Sequence, residues 1–247
     1  MCWSEGASLA MVGLGAAATF VTLRRGEPAA IPVTLAFFTV MEGLQAAGYL
    51  VIDECSLTSN KSITALSYLH IALQPIFINA FAMALVAREI SPRLRAFVYA
   101  AAATASAVIL LQLVPFDWAG PCQPGNVLCG PQWCTISGNW HLGWQVPLND
   151  LWGALLGDGF ARLVEFPTYL LAVFVLPLVY GAWRLVIFHA LFGPALAWLL
   201  TDNPNEMPAI WCLFSVGLVV IALSPMIRRS VAPGVGVIPP ADPSGIR

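Results

Sequence analysis

Seven apolar stretches, Ser8–Leu23, Ile31–Ile52, Ile63–Ala87, Ala96–Val114, Leu163–Trp183, Leu185–Leu200 and Ala209–Ile227, take up most of the chain. A helix that crosses a bilayer needs about 20 predominantly apolar residues. It must also satisfy its own backbone polar groups, which only a helix or a closed barrel does in hydrocarbon. Charged residues make up 10% of the chain and hydrophobic ones 59%, whereas soluble domains carry about 25% charge. That is too little polar surface to wrap a water-soluble core. The expected fold is an all-α membrane protein, a seven-transmembrane-helix bundle. The division between the fifth and sixth stretches rests on Arg184, with Gly181 nearby. The first stretch is not expected to be a cleaved signal peptide, because its basic pair, Arg24 and Arg25, follows the apolar run instead of preceding it.

Cytoplasmic loops are enriched in Lys and Arg. Arg24, Arg25, Arg88, Arg93, Arg95, Arg184, Arg228 and Arg229 all fall on one side of the expected bundle, and only Lys61 and Arg162 on the other. The N-terminus is therefore expected outside and the C-terminus in the cytoplasm, in a bacterial inner (plasma) membrane. Trp3, Trp118, Trp133, Trp140, Trp144, Trp152, Trp198 and Trp211 lie at or beyond the outer boundary, and Trp183 alone at the inner one. Tryptophan anchors at headgroup level, so this asymmetry implies a thick outer layer. Residues 115–162 supply it, as a Cys/Trp-rich loop or lid within a transmembrane domain of residues 1–229. Residues 230–247 are rich in Pro and Gly and read as a disordered cytoplasmic tail. A net charge of −2 leaves no basic footprint for nucleic acid.

All six cysteines, Cys2, Cys55, Cys122, Cys129, Cys134 and Cys212, fall on or near the outer side. Disulfides form where the compartment is oxidising, so two or three bridges are expected, with the pairing open. Cys2 and Cys212 are the expected free thiols. Cys129, Cys134 and His141 could instead supply soft ligands to a metal, although their spacing is not that of a zinc ribbon.

Ionisable groups inside a membrane are costly and mark candidate functional sites. Glu42 lies about 15 Å below the outer end of the second helix and His70 about 10 Å below that of the third, at about 1.5 Å per residue. Gln45 shares a face with Glu42, and Gln74 with His70. Gln112 closes the fourth helix and Glu165 opens the fifth. These six form a set of ligand-binding candidates in the outer half of the bilayer, and no catalytic residue can be assigned among them. Carboxylates, an imidazole and amides suit a divalent metal held by Glu42 and His70, a proton relay, or the polar head of an amphipathic ligand. Plainer roles compete: Glu165 could pair with Arg162, and His70 could simply donate to a helix carbonyl. Glu42 is the hardest to explain structurally, because no Lys or Arg lies at its depth.

Retinal held as a Schiff base is excluded, because the single lysine, Lys61, is in a loop. No two of the three histidines form the His-x-x-x-His pair of seven-helix metal hydrolases, and no P-loop or Gly-x-Ser-x-Gly is present. The opening Met1-Cys2-Trp3-Ser4, followed by Ala7-Ser8, resembles a group of uncharacterised bacterial integral membrane proteins that begin Met-Cys-(Phe or Trp)-Ser-x-x-Ala-Ser. Glu42–Gly43 matches that group's Glu-Gly pair in the second helix, and Tyr68–Leu69 with Pro75 matches its third helix. The resemblance covers the first third of the chain, excludes the Cys-rich loop, and implies a fold family without an assigned activity.

The expectation is a polytopic inner-membrane protein binding a small molecule or metal in an outward-facing polar pocket, with sensing, transport and catalysis unresolved. Membrane lipid is the expected surrounding partner. The alternatives are an accessory subunit scaffolding other membrane proteins, and a metal-dependent membrane-embedded hydrolase.

Overall fold

In the computed structural model, which describes residues 3–86, 89–157, 159, 164–224 and 226–228, the first four apolar stretches form long helices. These are α1 (Glu5–Arg24), α2 (Ala30–Tyr49), α3 (Thr58–Leu85) and α4 (Pro92–Leu111). Local capping sets where they start. The Ser4 side chain accepts from the amide of Ala7 at 3.3 Å to open α1. Ser91 accepts from Leu94, also at 3.3 Å, with Pro92 next in the chain, where its missing N–H costs nothing. A hairpin, β1 (Cys134–Ser137) and β2 (Leu142–Gln145), pairs antiparallel with Cys134 opposite Gln145. The short α5 (Leu151–Leu156) precedes α6 (Pro167–Val179), α7 (Trp183–Leu200) and α8 (Met207–Leu223). Among the described residues, α1, α2, α3, α4 and α7 are long and apolar enough to cross a membrane, and α6 and α8 are shorter apolar helices.

Helix boundaries shift by a few residues from the sequence reading throughout, α3 starting at Thr58 instead of Ile63 for instance, and those around α6 and α7 bear on the candidate residues. The fifth helix, expected from Leu163 to Trp183, is observed only over Pro167–Val179. Phe166 takes a left-handed conformation (φ 51°) that stops the helix from extending backwards, so Glu165 precedes α6 instead of opening it. The break before α7 falls at Gly181, whose φ of 91° suits a residue without a Cβ, and Arg184 sits inside the first turn of α7. Proline accounts for two local widenings. Segments Leu171–Val175 and Leu191–Ala195 are π-helical, the first just before Pro177 and the second around Pro194. Widening the helix re-houses the carbonyls that a proline leaves without a partner.

The core runs through α2, α3 and α4, with Leu35, Phe38, Met41, Tyr68, Phe81 and Ile109 buried. The Tyr68 hydroxyl donates to the carbonyl of Ile109 at 2.7 Å, joining α3 to α4. Asn79 donates to Pro75 O and Ala172 O, both at 2.8 Å, and accepts from the Tyr180 hydroxyl at 2.7 Å, which ties α3 to α6. Leu14, Phe20, Leu191, Trp198 and Leu199 form an exposed apolar exterior.

Residues 115–157 form an ordered cap at one end of the bundle. Asn60 of α3 donates to Val51 O and Thr135 O and accepts from Thr135 N. Asn149 donates to Leu111 O and Val114 O at the end of α4. A disulfide joins Cys55 to Cys134, and another joins Cys122 to Cys129. At the far end Arg228 pairs with Glu27 at 2.8 Å, and Arg25 donates to Leu223 O, clasping α1 to α8. The tail 230–247 lies outside the described residues.

Candidate functional site

A cavity of about 500 Å³ opens beneath the cap, where α3, α4, α6, α7 and α8 meet. Val127 and Leu128 of the cap roof it. Ile71, Ile109, Phe166, Trp198 and Trp211 supply apolar and aromatic wall, and Gln74, Glu165 and Tyr169 bring polar atoms to it. Apolar walls with a few polar groups are the usual make-up of a small-molecule site, and the volume lies within the usual range of about 300–1,000 Å³.

Each polar group is held by a named partner. The Tyr169 hydroxyl donates to Gln74 Oε1 at 2.5 Å, which fixes the amide with its Nε2 towards Cys212 Sγ, 3.9 Å away. Glu165 Oε2 accepts from the amide of Val127. Burial pushes the Glu165 carboxyl above the ordinary carboxylate range, and the Val127 bond opposes that only in part. Trp211 is held by donating its indole N–H to His189 Nε2 at 2.8 Å.

Of the six candidates from the sequence, Gln74 and Glu165 meet at this cavity. Gln112 lines a narrow crevice beside it with Glu165 and Cys122. The carbonyl of Gln112 accepts from Asn149, and its side-chain Nε2 has no partner among the described residues. His70 takes the plainer role: its ring stacks on Phe37 with centroids 3.7 Å apart, and Nε2 donates to Phe37 O at 2.8 Å. Glu42 turns towards α8 and accepts from Ser215 Oγ at 3.0 Å. Gln45 is buried with neither amide atom partnered among the described residues.

No three His, Cys, Asp or Glu side chains converge as metal ligands among the described residues. The donor set Cys129, Cys134 and His141 is overturned directly, because the two cysteines belong to different disulfides. Cys212 is a buried free thiol, as expected. Cys2 and Arg162 lie outside the described residues.

Two features were missed in the sequence. Glu206 is fully buried and accepts from the backbone amides of Asn139 (2.9 Å), Trp140 (2.6 Å) and His141, and from Thr201 Oγ1 at 2.6 Å. One carboxylate thus fastens the hairpin turn to the connection between α7 and α8. The polar block Asp202-Asn203-Pro204-Asn205-Glu206 between two apolar runs was its signal. His141 beside it is also fully buried, stacked against Trp3, with Nδ1 accepting from Leu142 N at 2.8 Å. Burial holds His141 neutral, its pKa lowered from 6.5 to about 3. Tyr169 was the second omission, a hydroxyl inside an apolar run.

A larger groove of about 1040 Å³ crosses the outer surface of the cap, lined by Phe116, Cys122 and Gln145. None of the six ligand-binding candidates lines it. A family model described as "Family of unknown function (DUF5765)" matches residues 6–232. Neither a curated protein nor a solved structure matches the chain.

Proposed function

The chain belongs to this family of unknown function, and from its geometry we propose that it is a seven-span inner-membrane protein holding an amphipathic small molecule in a cavity on the outer side. The cavity of about 500 Å³ beneath the cap carries this reading. Its apolar wall accepts a chain or ring system. Gln74 and Glu165 offer amide donors and a carboxylate acceptor to a hydroxyl or similar polar head. Trp198, 72% exposed at the rim, faces the lipid side and offers an entry from the bilayer.

The orientation has three supports. The basic residues cluster on the side away from the cap. Two disulfides lie at the cap end, Cys122–Cys129 within the cap and Cys55–Cys134 joining it to the α2–α3 connection, and disulfides persist in an oxidising compartment. On this reading the shorter apolar helices α6 and α8 are counted with the five long ones, and an odd number of crossings puts the two termini on opposite sides.

The test is native mass spectrometry with solvent extraction on detergent-purified wild type and on Ala197→Phe, which fills the cavity from its α7 wall. A co-purified amphipath present in the wild type and absent from a folded Ala197→Phe variant is the expected result. A wild type carrying no small molecule, but retaining a partner protein, would overturn the reading in favour of an accessory subunit.

A further inference from the structure

At a site separate from that cavity, we infer that Glu42, Thr39 and Ser215 form a site for a monovalent alkali cation between α1, α2 and α8. A small space of about 10 Å³ lies there, lined by Gly15 of α1, Thr39 and Glu42 of α2, and Ser215 of α8, with Met11, Leu35, Phe38 and Val219 as its apolar shell. A space of about 10–15 Å³ is what one water-sized occupant needs.

The polar atoms facing it are all hard oxygens. Glu42 is 2% exposed; its Oε1 accepts a hydrogen bond from the Ser215 hydroxyl, while Oε2 is buried with no partner among the described residues. Thr39 spends its proton on Leu35 O at 2.7 Å, and Ser215 spends its own on Glu42. Both hydroxyls therefore have only lone pairs left to offer. A carboxylate and two hydroxyl oxygens, with their donors already used, present electron pairs and no protons. Such a set recognises a cation, and hard oxygen donors suit alkali and alkaline-earth ions.

The charge balance selects a monovalent ion. Glu42 is the only charged residue in α2, and α8 contains none. One carboxylate and one monovalent cation cancel, whereas a divalent ion would leave a net charge in a low-dielectric interior, which is costly. Gly15 completes the fit: a Cβ there would stand 2.2 Å from Thr39 Oγ1, so only glycine lets α1 close over the hydroxyl.

Thermal unfolding of the full-length protein in detergent, at mildly alkaline pH, tests the site in sodium, potassium and choline chloride at matched ionic strength. An ion that binds only the folded state raises the melting temperature with its concentration. The expected result is a rise with sodium or potassium that choline does not reproduce, and its loss in Glu42→Gln. Should Glu42→Gln fail to fold, Thr39→Val removes one oxygen with little change of shape and is expected to weaken the apparent affinity for the alkali cation by about tenfold. Equal melting temperatures in the three salts, or an alkali-cation response unchanged in these variants, would overturn the site.

Discussion

The two disulfides close loops of very different length, and that difference sets the stability each should contribute. Cys55 and Cys134 are 79 residues apart in sequence, Cys122 and Cys129 only 7. A cross-link stabilises mainly by removing loop entropy from the unfolded chain, which for a loop of about 80 residues comes to about 4.5 kcal/mol. In a membrane the unfolded chain keeps its helices, so the 28 residues of α3 and 20 of α4 are not free. About 30 flexible residues remain, and the figure falls to about 3.7 kcal/mol. The short loop gives about 2.5 kcal/mol on the same scale. Cys134 is also fully buried beside the Asn60 and Thr64 contacts of Thr135, so its replacement loses packing as well. Cys55→Ala with Cys134→Ala should therefore destabilise about 1.5 times as much as Cys122→Ala with Cys129→Ala. Unfolding followed by tryptophan fluorescence suits the comparison, because five of the nine tryptophans (Trp118, Trp133, Trp140, Trp144 and Trp152) lie in the cap segment. Equal losses, or a greater loss from the short loop, would refute the reasoning that the long bridge fastens the cap to the bundle.

His141, neutral in the fold down to about pH 3 against 6.5 when free, should make stability fall by about 1.4 kcal/mol per pH unit below 6.5, because the unfolded state alone takes up the proton there. Glu165, shifted upwards, contributes with the opposite sign, so melting curves of wild type and His141→Phe between pH 7 and about 4 isolate the histidine's share. Glu206→Ala leaves three backbone amides, of which that of His141 is buried, and the buried Thr201 hydroxyl without their acceptor; it should cost roughly 3 kcal/mol and make the hairpin turn around Asn139 sensitive to limited proteolysis. Gly193→Ala would bring a Cβ to 2.4 Å from Trp211 Nε1. Displacing that indole from His189 and from the cavity wall should cost about 1–3 kcal/mol and lower ligand retention, read by melting temperature and by mass spectrometry of the bound molecule.

The polar residues show why burial could be read in sequence and partnership could not. Glu42 stood out because no basic residue shares its depth, and it is indeed buried. Its pairing with His70 was an inference from depth alone, and depth says nothing about the direction a helix face points. Rotation of α2 against its neighbours turns Glu42 to Ser215 on α8, while His70 meets Phe37 and Phe38. Gln74 and Glu165 come together because α6 starts at Pro167, after the left-handed Phe166, a backbone event that periodicity does not register. Glu206 escaped notice because its partners are backbone amides 65 to 67 residues away, and an amide carries no signature in a sequence.

Apolar length, charge placement and cysteine distribution are one-dimensional quantities. They suffice for a helical chain with membrane-length segments, for cysteines brought into disulfides at the cap end, and for the segment that builds that cap. The helix rotations, the cysteine pairing, the cavity beneath the cap and the small oxygen-lined space at Glu42 arise from contacts between residues far apart in the chain. Those contacts depend on how side-chain volumes pack around the π-helical turns near Pro177 and Pro194 and the break at Gly181, and packing is decided only in three dimensions.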